Sequence, residues 1–382
     1  MHCILVEMER YLQERIRRDL ARKMVLLSGP RQVGKTFLAK ALMATFKRPQ
    51  YLNYDQPDDA RIIHGQSWAA DADLLVLDEI HKMRGWKPFL KGAVDTRPTG
   101  QSILVTGSTR LDTFRQSGES LAGRYFPFHL YPLSVKELAG QMAPTDALVQ
   151  LNRLGGFPEP FLAGSEIEAA RWRNQYYSDL VREDILEFSR IQEVRAMRLL
   201  VEMLRHRVGS PLSQASLAGD LKIAPNTLRS YLDILESLQV IFMIRPFHAN
   251  VARAIQKEPK VYFYDSGHVV GDDGIRLENT VAVSLLKHAD YRREVLGEAV
   301  TLHYVRTKDQ REVDFALAGP EGVTTLIEVK LSDDHPAPGL KYLSRALDGA
   351  TALQVVQNLR QPQAVGGIQI VRAADWLASL SA

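Results

Sequence analysis

An α/β protein, opening on a doubly wound parallel sheet and carrying a hairpin near its carboxy-terminal end, is what this sequence predicts, on three observations. Short apolar runs alternate with helical spacers over the first third of the chain. A glycine-rich loop, "GPRQVGKT", stands between one such run and a helical pattern. Near the other end, "REVDFALAGPEGVTTLIEVK" (311–330) reads as two strands around a turn. At 382 residues the chain exceeds one ordinary core, so two to four domains of roughly 100 to 150 residues are expected.

Bulk properties narrow the classes. With 45% hydrophobic and 24% charged residues, the composition is that of a soluble globular protein. A net charge of +3 means that any nucleic-acid contact must come from local patches. The single cysteine, Cys3, excludes an intrachain disulfide and a cysteine-based zinc cage. No apolar run reaches the length of a membrane span and no signal-peptide core is visible, so a cytoplasmic protein without membrane partners is expected.

Taken in order, Met8, Leu12, Ile16 and Leu20 form one apolar stripe on an amphipathic helix, a packing feature. Met24 to Leu27 is a short strand. The loop after it matches G-x-x-x-x-G-K-[ST] at Gly29, Gly34, Lys35 and Thr36. Gly29, Pro30, Arg31, Gln32, Val33, Gly34, Lys35, Thr36 and Phe37 are the expected cradle for ATP. Main-chain NH groups and the positive end of the next helix suit a triphosphate, Lys35 would reach the β and γ phosphates, and Thr36 would face Mg²⁺.

"DLLVLDEIHK" is an apolar strand ending in Asp78, expected on Mg²⁺, and Glu79, expected to orient the attacking water. The plainer reading is two solvated acids capping a strand; His81 reads as structural or solvent-facing. Further buried strands are expected at "QYLNYD" (50–55), "SILVTGS" (102–108) and "YFPFHLYPL" (125–133). Ser108 or Thr109 would bond the hydrolytic water or γ-phosphate, or else cap a loop. Arg124 would neutralise transition-state charge in its own or a neighbouring subunit of a homo-oligomer, or else is a surface arginine.

Strands disappear over 139–207, where "GGFPEP" (155–160) breaks a helical pattern and arginines nearly balance acids. In 211–247 a helix ending near Leu221, a turn at Ile223 and Ala224, and a helix opening with Pro225 and buried on Leu228, Leu232, Leu235 and Leu238 make a helix-turn-helix. Ile241 to Ile244 would be its wing. Asn226, Thr227, Arg229, Ser230 and Asp233 would form its exposed face, suited to DNA or to a protein.

In the carboxy-terminal hairpin, a loop "AGPEG" (318–322) would set Leu317 against Val323 and Asp314 against Leu326, with Glu328 on the diagonal. Glu312, Asp314, Glu328 and Lys330 would then share one face. That face is either a cation site, with Asp314 and Glu328 on Mg²⁺ and Lys330 beside the activated water, or the wet side of a half-exposed hairpin. Glu278, on the helical stretch "LENTVAVSLLKH", would add a third carboxylate.

The succession "LLSGPRQVGKT", "LLVLDEIHK", "VTGS", "LAGRYFPFHLYPLS", "GGFPEP", "KVYFYDSG", "RLENTV", "EVDF" and "LIEVK" resembles, almost end to end, the prokaryotic ATPases that join an AAA-type domain to a carboxy-terminal domain of unknown function. The resemblance implies a P-loop ATPase domain (1–138), a helical lid (139–207), a winged helix-turn-helix (208–250) and a PD-(D/E)xK nuclease-like domain (251–382). It implies ATP and Mg²⁺ as cofactors and favours the cation-site reading of the hairpin, with DNA as a partner. In "RLEN" a leucine stands where an aromatic commonly precedes the glutamate, which leaves every candidate ligand in place.

Overall fold

The computed structural model describes residues 9–107, 121–180, 191–248, 257–347 and 349–382. The chain divides into two compact units, Met1–Tyr131 with Ser237–Gln239, and Pro132–Glu236 with Val240–Ala382.

In the first unit, helix α1 (Gln13–Leu20) buries Ile16 and Leu20 behind Leu12, the expected stripe, whose Met8 lies outside the described residues. Strand β1 (Met24–Ser28), helix α2 (Lys35–Met43), β2 (Pro49–Asn53), α3 (Pro57–Gly65), β3 (Leu74–Asp78), α4 (Trp86–Thr96), β4 (Ser102–Thr106) and β5 (Tyr125–His129) follow. The strands form one parallel sheet in the order β2-β3-β4-β1-β5. β1, β3 and β4 are apolar runs buried throughout, as inner strands covered on both faces must be, whereas the edge strands β2 and β5 are partly exposed. Because β4 lies between β1 and β3, the ends of those two strands, which carry the glycine loop and Asp78, flank one crevice.

The second unit begins with helices α5 (Val135–Leu138), α6 (Pro144–Leu154), α7 (Pro158–Ala163), α8 (Glu166–Leu180) and α9 (Ile191–Arg205), matching the expected helical stretch. The break at "GGFPEP" has a physical cause. Gly155 lies at φ +78°, and a Cβ there would sit 1.9 Å from a carboxylate oxygen of Asp265, which is ion-paired with Arg173 at 2.7 Å. Helices α10 (Gln214–Leu221) and α11 (Pro225–Ser237) follow, the second burying Leu228, Leu232 and Leu235 and exposing Asn226, Arg229, Ser230 and Asp233, with Thr227 half-buried. Strand β6 (Ile241–Ile244) pairs antiparallel with β7 (Lys260–Phe263).

Helix α12 (Asp273–Val295), capped by the Asp272 side chain, leads into β8 (Thr301–Arg306), β9 (Glu312–Gly319), β10 (Gly322–Lys330), α13 (Pro338–Ala346), β11 (Thr351–Val356), β12 (Gln363–Val365), β13 (Ile368–Arg372) and α14 (Ala373–Ala378). The sheet order is β12-β13-β11-β10-β9-β8: an antiparallel β8-β9-β10 meander joined to parallel β11 and β13. Val313, Leu326, Leu340, Leu343 and Ile368 pack its core. No helix among the described residues is long and apolar enough to cross a membrane.

The hairpin register differs from expectation. The turn is the two residues Pro320 and Glu321, not a five-residue loop, so Val323 pairs with Ala318 and not with Leu317. Continued unchanged, that register would send Asp314 and Glu328 to opposite faces. A bulge at Thr324 adds one residue to β10, after which Thr325 pairs with Leu317 and Ile327 with Phe315. The next step sets Asp314 directly across from Glu328, where a diagonal was expected; the shared face survives because turn and bulge together shift the pairing by two.

Candidate nucleotide and cation sites

The first site grows from β1. Gly29, at φ +148°, passes so close to the neighbouring chain that a Cβ would meet the Leu130 carbonyl oxygen at 2.4 Å. Gln32 and Gly34 take left-handed conformations, φ 59° and 102°, which curl the loop into the start of α2. No side chain caps that helix, so its first NH groups face the loop. Lys35 is buried, its Nζ donating to the carbonyls of Gly29 (2.8 Å) and Pro30 (2.7 Å). Arg10, also buried, pins the loop from behind by donating to the Val33 carbonyl at 2.8 Å.

Asp78 is the hub. Its Oδ2 accepts from Thr36 (3.0 Å) and Tyr51 (2.6 Å), and its Oδ1 from Thr106 (2.5 Å) and the Glu79 NH (3.1 Å). Thr36 and Asp78 thus present adjacent oxygens of the kind a hard cation takes, a donor set that fits Mg²⁺. Glu79, in the left-handed region at φ 56°, is half-buried; burial raises its pKa, with Lys82 (3.5 Å) opposing and Asp78 adding to the rise. The His81 side chain, 3% exposed, lies beside Glu79, its Nε2 3.6 Å from that carboxylate. Arg124 makes a two-pronged pair with Asp95 of α4, at 2.7 and 3.0 Å, and not with the phosphate loop. Ser108 and Thr109 lie outside the described residues.

Arg10, Tyr51 and Thr106 escaped the sequence reading. Thr106, the last residue of "SILVT", pairs with Asp78 across the parallel register, a neighbour relation that follows only once the strand order is known. Tyr51 and Arg10 carry no local signal.

The second site lies on the carboxy-terminal meander. Glu312 and Asp314 on β9, Glu328 and Lys330 on β10 and Glu278 on α12 stand around a residue without a local sequence signal, Lys260 of β7. Its Nζ lies 2.7 Å from Glu312 Oε1 and 3.8 Å from both Glu278 Oε1 and Asp314 Oδ1, at 1% exposure. Burial disfavours the ammonium, yet Glu278, Asp314 and Glu312 outweigh it and raise its pKa. Tyr262 donates to Glu278 at 2.7 Å, Lys330 to Glu328 at 2.6 Å, and the Val329 NH to Asp314 at 2.9 Å. Burial, then the Asp314 charge, pushes the Glu278 and Glu328 carboxyls upward. The buried Glu328 Oε2 has no hydrogen-bond partner. The oxygens suit a hard divalent cation. Their spacing is open: Glu278, Asp314 and Glu328 do not bring one oxygen each within 4.8 Å of the others.

Three family models match the chain in succession. Residues 21–139 match the family described as "AAA domain", residues 145–271 a "Domain of unknown function (DUF8612)" and residues 273–376 a "Domain of unknown function (DUF4143)". The chain is 30% identical over 325 residues to "Uncharacterized protein Rv2008c" of Mycobacterium tuberculosis, covering 82% of this chain and 71% of that protein. An "Uncharacterized protein" of Haemophilus influenzae is 21% identical over 415 residues, covering 99% of this chain and 100% of that protein. Among solved structures, the Walker-type ATPase PABY2304 of Pyrococcus abyssi aligns over 71% of this chain and 99% of its own, with a TM-score of 0.44 and 15% identity.

Proposed function

This chain belongs to the family of its mycobacterial relative and, within it, is an AAA-type P-loop protein with a carboxy-terminal DUF4143 domain; from that premise we propose that it binds ATP with Mg²⁺, hydrolyses it, and engages DNA through its second unit. The observation that carries the first part is the 3.0 Å contact between Thr36 and Asp78, beside a buried Lys35 at the mouth of an uncapped helix. In this reading the loop amides and Lys35 bind the phosphates, Thr36 and Asp78 hold the cation, and Glu79 orients water and takes its proton. Mg²⁺, when bound, neutralises developing phosphate charge. Arg124 would act only after leaving Asp95.

Support for DNA engagement comes from the two-helix and two-strand arrangement of α10, α11, β6 and β7, read as a winged helix, and from the strand-borne Asp314, Glu328 and Lys330 with Glu278 behind them, read as a nuclease-like site. A second reading, a nucleotide-driven switch whose carboxy-terminal domain binds a partner without cutting, is favoured by the Lys260 ammonium among the carboxylates.

The test is phosphate release and calorimetric ATP binding on the purified chain. K35A is expected to lose binding, and E79Q to bind while losing turnover by roughly a hundredfold or more. Turnover of E79Q at the parent rate removes Glu79 from its role. Incubation with DNA, ATP and Mg²⁺ or Mn²⁺, against E328A, decides between cutting and binding; no cleavage of any substrate leaves the switch.

A further inference from the structure

Lys260 has no part in the proposed hydrolysis, yet it is buried at the centre of the second site. An ammonium is costly to bury without compensation, and here the compensation is three carboxylates, with Glu312 closest. Glu312 is not among the expected cation ligands. It is itself 3.5 Å from Arg306 and lies on β9 two residues before Asp314, so it can keep Lys260 while Glu278 and Asp314 turn to another cation.

Resting on the reading of Glu278, Asp314 and Glu328 as cation ligands, we propose that Lys260 is the resident counter-cation of this site, competing with a divalent metal for Glu278 and Asp314 and thereby setting the metal's affinity. Three observations carry this. The ammonium is equidistant, at 3.8 Å, from one oxygen of each of the two carboxylates a metal would bridge. The third, Glu328, keeps a buried oxygen without a hydrogen-bond partner. The three carboxylates also do not form one compact ligand set, as expected when an ammonium stands among them. Pro211 bridges β7 at Lys260, and the backbone of Gly209 is so close to Glu278 that a Cβ there would meet Oε1 at 2.7 Å, which restricts how that carboxylate can retreat.

The experiment is Mn²⁺ binding to the nucleotide-free full-length chain, read by electron paramagnetic resonance, with the signal lost in D314N defining this site and separating it from the phosphate loop. K260Q is expected to tighten that signal at least about tenfold, the scale on which a charge 4 to 6 Å away acts. K260R, which keeps the charge, is expected to stay near the parent affinity, and K260Q/D314N to lose the gain. A folded K260Q that binds Mn²⁺ no more tightly than the parent overturns the proposal, as does the absence of any D314N-sensitive signal in either form. Should K260Q fail to fold, acylation of Lys260 in the unaltered chain, read by peptide mass spectrometry, is expected to rise with Mn²⁺; a flat rate while the D314N-sensitive signal saturates overturns it too. Tighter Mn²⁺ without DNA cleavage refutes only the nuclease reading. Cleavage with unchanged K260Q affinity refutes only the competition.

Discussion

Replacing Asp78 by asparagine and by alanine separates its work in the sheet from its proposed work on the cation. Asp78 is 3% exposed and accepts four hydrogen bonds, one of them from Thr106, which is fully buried. Asparagine keeps one oxygen for Thr106 and the Glu79 NH, and its amide can donate to the hydroxyls of Thr36 and Tyr51, which turn to accept. The expected cost is about 1 kcal/mol, the difference between charge-assisted and neutral bonds. Alanine strands the Thr106 hydroxyl and leaves Tyr51 and Thr36 to water, whereas the Glu79 NH keeps its 3.0 Å bond to the Thr106 carbonyl; at about 1 to 3 kcal/mol for each group that stays buried, the cost is about 2 to 4 kcal/mol in all. For a unit of this size roughly 4 °C in Tm accompanies each kcal/mol, so calorimetry should show D78N within about 5 °C of the parent and D78A lower by about 8 °C or more, as an order of magnitude. Phosphate release should fall on the order of a hundredfold in both, since each removes the carboxylate from the cation. Near-parental turnover in D78N, or equal melting of the two variants, would refute this account of the hub.

Three further outcomes follow from buried contacts. G29A places a Cβ 2.4 Å from the Leu130 carbonyl at φ +148°, so it should cost about 1 to 3 kcal/mol and weaken ATP binding; a variant unchanged in both denaturation and calorimetry removes the steric argument. Glu236, which accepts from the Met243 NH at 3.0 Å, has its pKa raised to about 7, burial being the main cause. Between about pH 4.5 and 7 the folded form keeps a proton that the unfolded form has released, so stability falls as pH rises through that window, by up to about 3 kcal/mol; E236Q should lose that part of the slope and exceed the parent at pH 8, and equal slopes in urea melts count against it. R173M leaves the 1%-exposed Asp265 carboxylate unpaired and should cost about 3 to 5 kcal/mol, with R173M/D265N recovering part; an additive double variant would show no coupling.

The phosphate loop and the acid after "LLVL" were legible because each is a local pattern: glycines at positions needing left-handed or crowded backbone, and a carboxylate at the tip of a wholly apolar strand. The alternation of strand and helix was equally legible, since β1, β3 and β4 are buried on both faces and so are continuously apolar. Tyr51, Thr106 and Arg10 were not, because they reach the site through strand order and a long-range contact. The hairpin shows the limit most clearly. Face sharing of Asp314 with Glu328 was correctly anticipated, but through a wrong loop, since nothing in "GVTT" announces a bulge that offsets a tight turn.

Local features were therefore written in the chain itself: which segment curls into a glycine loop, which residues are acidic at strand ends, and which helix stripes are buried, all of them consequences of backbone sterics and periodicity over a few residues. Tertiary structure alone decided that Asp78 is shared by four donors and that Lys260, 54 positions before Asp314, stands among the carboxylates. An ion pair depends on distance in space, and chain separation carries no information about it until the sheet is assembled.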